Sequence, residues 1–183
     1  MQLKIYDIDL KLSDIKQLYN SFDPSPFFER DLDQNASEYL VDSVKEQPLK
    51  KKMRIVIHLP EIIAKNIDHS DIKSAISNHF SYRVEVFRRK IKNLRKEGRN
   101  ALAAGISFLI ICLSLSEFTN VFITGFISKL LSEGLMIAGW VGMWRPISIF
   151  LYDWWPIENE KKVYEKLKGM DVKIKAIKPI KPK

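Results

Sequence analysis

The sequence lacks several features that would point to a particular chemistry. It contains one cysteine, Cys112, so it cannot form an internal disulfide, and none of its seven glycines belongs to a phosphate-binding loop motif. The three histidines, His58, His69 and His79, do not share the spacing of metal ligands. A zinc-protease motif and a nucleophile elbow are also absent. The sequence therefore predicts no cofactor and indicates no particular enzyme activity.

Sorting and attachment signals are missing from both ends of the sequence. Residues 1–12 alternate charged and apolar side chains, without the basic start and apolar run of a secretory signal. Neither end carries a lipidation motif.

Apolar residues are concentrated in the region Ala101–Trp155. The 183 residues carry a formal charge of +8, and their mean hydropathy of −0.15 resembles that of a soluble protein. Residues 101–116 nevertheless carry no charge, and a helix continued to about residue 122 spans a bilayer core of about 30 Å. A second apolar run, Leu135–Trp155, is interrupted by Arg145 and Pro146. The remaining chain is too short to cover two such helices, so they predict a transmembrane hairpin.

The positions of lysine and arginine predict the orientation of this hairpin. Eight basic residues fall between Arg83 and Arg99, and four lysines follow the second run between Lys161 and Lys168. The connection, residues 122–134, carries only Lys129 and is expected to lie along the far interface. Because basic segments remain in the cytoplasm, both termini are expected there, in a multi-pass protein of the cytoplasmic membrane.

The first basic segment predicts contact with lipid headgroups, which attract basic residues by about 1 kcal/mol each. The residues assigned to this role are Arg88, Arg89, Lys92, Arg95, Lys96 and Arg99. Basic segments also bind nucleic acid, but no nucleic-acid-binding motif accompanies this one. Membrane lipids are therefore the expected partner, and nucleic acid is not.

Outside the hairpin, the sequence predicts a small sheet with helices. Strands are predicted at residues 3–12, 53–59 and 170–177, and the last strand needs a partner in one of the others because a lone strand is unstable. Helices are predicted at 14–19 with Ser13 as cap, from Asp33 or Asn35, from Asp68 or Ser70, and at 157–168.

The expected fold class is therefore an α+β membrane protein, in which a small cytoplasmic α/β domain carries an inserted transmembrane helical hairpin. The predicted divisions are residues 1–99 for the cytoplasmic part that ends in a basic helix, 100–156 for the hairpin, and 157–183 for the returning helix, strand and basic tail.

Arg145 is the residue most informative about a possible site. A charge in the middle of a bilayer costs roughly 2.5–3.5 kcal/mol, so such residues usually face protein or water. Glu117 and Asp153 are the candidate partners, which defines a candidate intramembrane polar site of Arg145, Glu117 and Asp153. In the alternative, the second crossing begins earlier and Arg145 reaches the headgroups.

A proline-containing acidic loop is the second candidate site, as a surface for a protein partner. Its residues are Asp23, Pro24, Pro26, Phe27, Glu29, Arg30, Asp31 and Asp33. Two prolines in three residues favour a fixed extended loop. The acidic residues alone make a weak metal signal, and Asp33 is expected to cap a helix instead.

Two groups of residues carry a resemblance to a known kind of protein. One is the string from Asp23 to Asp33 together with the strand end His58-Leu-Pro60; the other comprises Trp144-Arg-Pro146 and Tyr152-Asp-Trp-Trp-Pro156. They resemble a group of small prokaryotic two-helix membrane proteins, and the likeness covers most of the chain. The resemblance implies no activity, but it implies that Arg145, Asp153 and the loop act together.

Three functions remain open at this stage. The first is a non-catalytic, membrane-anchored scaffold that binds a protein partner. The second is a subunit of an oligomeric channel or transporter, since Gly134, Gly139 and Gly142 favour close packing against Gly105 or another copy. The third is a membrane-interface enzyme that acts on a lipid or a phosphorylated substrate through Arg145 or the acidic loop.

Overall fold

A computed structural model describes residues 5–26, 30–64 and 67–177. The chain divides into two compact units, residues 1–87 with 159–183 (unit 1) and residues 88–158 (unit 2). The elements in chain order are β1 (Tyr6–Lys11), a 3₁₀ helix (Ile15–Leu18), α1 (Gln34–Lys45), β2 (Met53–Pro60), α2 (Glu61–Ala64), α3 (His69–Phe122), α4 (Phe126–Gly142), α5 (Trp144–Ser148), a π-helical segment (Ile149–Asp153), α6 (Trp154–Lys168) and β3 (Asp171–Ile177).

Unit 1 contains a parallel three-stranded sheet in the order β1-β2-β3. The register aligns Ile8 with Ile55 and Val172, so apolar side chains of all three strands share one face. The C-terminal strand pairs with β2, which confirms that it needs a partner from the segment before the hairpin. Right-handed crossovers with this strand order place the connecting helices on a single face of the sheet.

The core of unit 1 lies between that apolar face and three helices. Leu40 of α1, Phe80 of α3 and Leu167 of α6 are completely buried against the sheet residues Ile55 and Ile57. Burial at every third or fourth position from Ile72 to Phe87 confirms the helix predicted from Asp68 or Ser70, because helix positions three or four apart lie on the same side.

The opposite face of the sheet carries charged side chains around the buried Val56. Arg54 makes two hydrogen bonds of 2.8 Å to the carboxylate of Asp7, and His58 contacts Asp9 at 2.6 Å. The guanidinium of Arg54 holds the pKa of the Asp7 carboxyl below its usual value. Parallel sheets are usually covered on both faces, so this charged face is an unusual surface of the unit.

Unit 2 contains a helical hairpin whose two arms pack along their glycines. Gly98 faces Ile149, Gly105 faces Gly142, and Gly139 faces Leu109. The predicted connection of residues 122–134 is wrong, because only residues 123–125 lie outside the helices and α4 begins at Phe126. Gly125 adopts φ +91° in this short turn, a conformation that favours glycine.

The sequence was misleading here because the first turns of α4 contain serines. Their hydroxyls do not need water, since they bond to the facing arm. Ser116 Oγ and Ser132 Oγ are 2.6 Å apart, and Ser128 Oγ donates to the carbonyl of Thr119 at 3.0 Å. Asn120 Nδ2 donates to Ser132 Oγ at 3.2 Å. Polar side chains in this region therefore join the two arms.

Pro146 interrupts the second arm as predicted. A proline ring clashes with the carbonyl four residues earlier, and α4 ends at that residue, Gly142. The chain resumes as α5 and then widens into the π-helical segment. Elsewhere two smaller expectations are corrected: Asp14, not Ser13, caps the 3₁₀ helix, and α6 begins at Trp154 rather than Ile157.

Candidate functional site

Arg145 joins the two arms of the hairpin by ion pairs. Its Nη2 donates to Glu97 Oε1 at 2.6 Å, and its Nη1 donates to Asp153 Oδ2 at 2.7 Å. Ser148 Oγ also donates to Asp153, at 3.2 Å. The α5 helix and the π-helical segment bring Asp153 back to Arg145 across eight residues. We call Glu97, Arg145 and Asp153 the arginine clamp.

The structure does not bring Glu117 to Arg145. Glu117 lies on α3 twenty residues beyond Glu97, which corresponds to about 30 Å along a helix. The candidate polar site therefore retains Arg145 and Asp153 and takes Glu97 instead of Glu117. The sequence offered one signal for Glu97, as it is the only acidic residue between Arg88 and Arg99.

The clamp also sets the level of Arg145 along the hairpin. Glu97 precedes the uncharged run that starts at Ala101, so Arg145 lies level with the basic segment and not beside the middle of that run. The side chains of Arg145 and Glu97 are each 55% accessible, and that of Asp153 is 30% accessible. This position of Arg145 agrees with the alternative in which the second apolar helix begins before Leu135, since α4 begins at Phe126.

The six residues assigned to lipid headgroups are all exposed. At 100° per residue they fall within an arc of about 120° on α3. Glu97 lies outside this arc, on the side that meets Arg145. We call these six residues the cationic stripe: Arg88, Arg89, Lys92, Arg95, Lys96 and Arg99.

The acidic loop is closed by backbone and carboxylate hydrogen bonds. Tyr19 and Leu32 form an isolated antiparallel bridge at its base. Inside the loop, Asp23 accepts hydrogen bonds from the amides of Ser25 at 2.9 Å and Asp31 at 2.8 Å. These bonds, with the Asp31 amide contributing most, lower the pKa of Asp23 to about 2. Asp23, Ser25 and Asp31 are therefore held together by their own polar groups.

Asp33 caps α1, as predicted, and accepts hydrogen bonds from the amides of Asn35 and Ala36. Arg30 Nε donates to the carbonyl of Ser25 at 3.2 Å. Pro24 and Pro26 are exposed. Phe27 and Glu29, also assigned to this loop, lie outside the described residues.

Phe22 is a loop residue that the sequence reasoning missed. Its side chain is 92% exposed, more than that of any other large apolar residue in the described part of the chain. It lies directly before Asp23, next to the rigid part of the loop. A single phenylalanine between polar residues gives no periodic signal, so only the structure distinguishes it from a packed side chain.

A serine, a histidine and an aspartate stand in hydrogen-bonded order beside the loop. Ser37 Oγ is 3.1 Å from His79 Nε2, and His79 Nδ1 is 3.1 Å from Asp31 Oδ1. The order matches that of a hydrolytic triad, but Ser37 is only 6% exposed on α1 and a substrate needs access to the nucleophile. The three residues therefore link the loop to α1 and α3. The rings of His79 and Phe80 meet edge to face, with their centroids 5.1 Å apart.

Among residues 5–26, 30–64 and 67–177, no group of three or more histidine, cysteine, aspartate or glutamate side chains is arranged to hold a metal ion.

Comparison with protein-family models, with curated proteins and with solved structures finds no match to this chain. The function must therefore be inferred from the geometry.

The buried His79, hydrogen-bonded to Ser37 and Asp31, leads us to expect that unit 1 loses stability in mild acid. Burial lowers the pKa of His79 below its ordinary value of 6.5, Asp31 opposes this shift, and Arg83 adds to it. Because the unfolded chain takes up the proton more readily, stability from the neutral ring is fully present above pH 6.5 and falls as the pH drops below it. We expect the thermal midpoint of unit 1, followed by circular dichroism in detergent, to fall between pH 7 and pH 5.5.

The His79→Gln variant should show a smaller decrease across this interval. His58→Gln is the matched control, because His58 lies on the polar sheet face beside Asp9. If the wild-type midpoint is equal at pH 7 and pH 5.5, the link does not respond to protonation of His79.

Proposed function

We propose that this chain is an integral membrane protein whose hairpin anchors a non-catalytic scaffold, and that the acidic loop binds a protein partner. The observation that supports this most strongly is the uncovered apolar surface of the hairpin. Nine large apolar side chains from Ile106 to Phe122, and nine from Phe126 to Trp144, are at least 40% exposed. Monomeric soluble proteins rarely expose a contiguous apolar surface of this extent.

Length and composition support the same proposal. Among the described residues, two helices, His69–Phe122 and Phe126–Lys168, are long and apolar enough to cross a membrane. In each, only 17% of the most apolar stretch is buried. A core helix of a soluble protein would instead be mostly buried.

The packing register of the arms suggests where the crossings lie. With the clamp at the cytoplasmic side, the crossings are residues 101–122 and 126–145. They correspond to about 33 and 30 Å of helix, close to the thickness of a hydrocarbon core. The second crossing then begins before Leu135, and Arg145 lies at the interface rather than in the middle of the bilayer.

The native tryptophans provide a test of insertion and depth, because all four lie in unit 2 at positions 140, 144, 154 and 155. Variants that retain only Trp140 or only Trp155 would be placed in vesicles whose lipids carry bromine at different depths. We expect bromine near the bilayer centre to quench Trp140 several-fold more strongly than Trp155. If no brominated lipid quenches either residue, the hairpin is not inserted.

The proposed partner-binding role depends on the exposed Phe22 and on the hydrogen-bonded residues Asp23, Ser25 and Asp31 next to it. Phe22 stands clear of the fold beside Asp23, whose hydrogen bonds fix the loop without help from a partner. A preorganised aromatic side chain is the typical anchor of a protein interface. A soluble or membrane protein that crosslinks to this loop is therefore the expected partner.

Replacing Phe22 by serine should weaken such an interaction strongly. Loss of an aromatic anchor costs 2 kcal/mol or more at an interface, or roughly 30-fold in affinity. The measurement is quantitative crosslinking in native membranes from a probe placed in the loop. Tyr82→Ser removes another aromatic side chain of unit 1, one that is 60% exposed, and is the control. Equal recovery of a crosslinked partner with Phe22→Ser and wild type would contradict the role of the loop.

The alternative of a channel or transporter subunit is less well supported by the same geometry. Gly105, Gly139 and Gly142 contact the other arm of their own hairpin, and Arg145 is matched by two carboxylates of the same chain. Only Gly134, of the four hairpin glycines considered, faces open space. Most of the glycines and the arginine that suggested a homo-oligomer are therefore already occupied by contacts within one chain.

A further inference from the structure

We propose that the cationic stripe selects anionic phospholipid headgroups, and that only its lower half, Arg95, Lys96 and Arg99, does so directly. This inference rests on the proposed membrane insertion of the hairpin. The upper half, Arg88, Arg89 and Lys92, stands above the headgroup layer.

The first support is the charge of the stripe. Arg88–Arg99 contains a single carboxylate, that of Glu97, and the arginine clamp engages it at 2.6 Å. Glu97 therefore does not neutralise the exposed cations beside it. The stripe presents positive charge along one side of α3, while the apolar contacts to the second arm occupy another side, at Gly98 and Gly105.

The second support is the height of each cation above the uncharged run. At 1.5 Å per residue from Ala101, Arg99 lies about 3 Å, Lys96 about 8 Å and Arg95 about 9 Å along the helix axis. Lys92 follows at about 14 Å, and Arg88 and Arg89 at about 18–20 Å. The headgroup layer is about 5–8 Å thick on each side, so only the lower half reaches phosphate groups.

Salt screening sharpens this difference. Charges that face water interact weakly beyond about 8–10 Å at physiological ionic strength. The upper half is separated from the phosphate layer by a distance of this order, whereas the lower half contacts it. Equal numbers of cations on one helix face are therefore expected to make unequal contributions to lipid selection.

The test uses the full chain in phosphatidylcholine vesicles with trace spin-labelled phosphatidylglycerol or phosphatidylcholine. Electron paramagnetic resonance gives the motionally restricted fraction of each probe and hence their relative association with the protein. At physiological ionic strength, where the screening length is about 8 Å, we expect phosphatidylglycerol to be preferred by roughly threefold to tenfold. The preference should decrease in 1 M NaCl, where the screening length is about 3 Å.

Two triple variants with equal charge change provide the matched comparison. The variant R95Q/K96Q/R99Q should lose the preference, while R88Q/R89Q/K92Q should retain most of it. The restricted phosphatidylcholine fraction must remain unchanged in both, which shows that the hairpin is still inserted.

The possible results separate the two proposals. Equal association of both lipids with the wild-type chain overturns the inference, as does an equal loss of preference in the two triple variants. If neither probe becomes motionally restricted, the hairpin is not inserted in the bilayer, and this result contradicts the proposed function as well.

Discussion

Phe80→Ala is expected to destabilise unit 1 by about 3–5 kcal/mol, the usual cost of removing a buried phenylalanine. Phe80 is completely buried at the centre of the core, and its ring contacts His79 and Tyr164. The surrounding residues belong to the sheet and to separate helices, so they cannot close the cavity by moving as one element.

Amide hydrogen exchange in β2 measures this loss, because β2 is the central strand and opens only with the unit. Exchange of the amides of Ile55 and Ile57 should accelerate by roughly 10²-fold to 4 × 10³-fold, since each 1.4 kcal/mol is a factor of ten. Tyr82→Ala, at an exposed position two residues away, should change the rates little. Rates for Phe80→Ala within about threefold of wild type would show that the core does not depend on this ring.

Gly139→Ile is expected to open the hairpin. A Cβ atom at Gly139 would lie 2.8 Å from Leu109 Cδ1 and 3.2 Å from Cys112 Cβ, so even one added carbon displaces the end of the Leu109 side chain and crowds Cys112. Isoleucine adds more atoms at the same position. Overpacking of this kind costs about 1–3 kcal/mol, and here it acts at the closest approach of two helices.

The single cysteine reports on this change without further mutation. Cys112 is 3% exposed beside Gly139. A small maleimide in mild detergent should therefore label it roughly 5–150-fold faster in Gly139→Ile than in wild type, as follows from a loss of about 1–3 kcal/mol. Gly134→Ile is the control, because no atom lies within 4 Å of the added Cβ at that position on the same helix. Equal labelling in the two variants would mean that the arms do not pack through Gly139.

Several elements could be predicted from the sequence because their signals are local. Asp33 was predicted as a helix cap from its position before an amphipathic run, and the structure confirms it. The strand at Met53 was predicted from a β-branched run, and Ile72 to Phe87 from helical spacing. Each depends on residues within a few positions of one another, where propensity and periodicity are informative.

The contacts that define the sites depend on register and could not be predicted in the same way. Arg145 and Glu97 are 48 residues apart, and their pairing requires a turn at residues 123–125 rather than a longer connection. A longer turn would place a different residue opposite Arg145. Likewise, Ser116 and Ser132 look like the polar end of a helix until the two arms are aligned.

The sequence by itself determined that the chain combines an α/β unit with two long apolar helices, because charge, periodicity and length are properties of the chain. It also determined which residues are cationic on the segment before the uncharged run at Ala101. The tertiary structure decided which carboxylate meets Arg145, where the second arm begins and which loop residue remains exposed. The physical reason is that packing of glycines and hydroxyls sets the relative position of the arms to within one residue, and no local pattern encodes that choice.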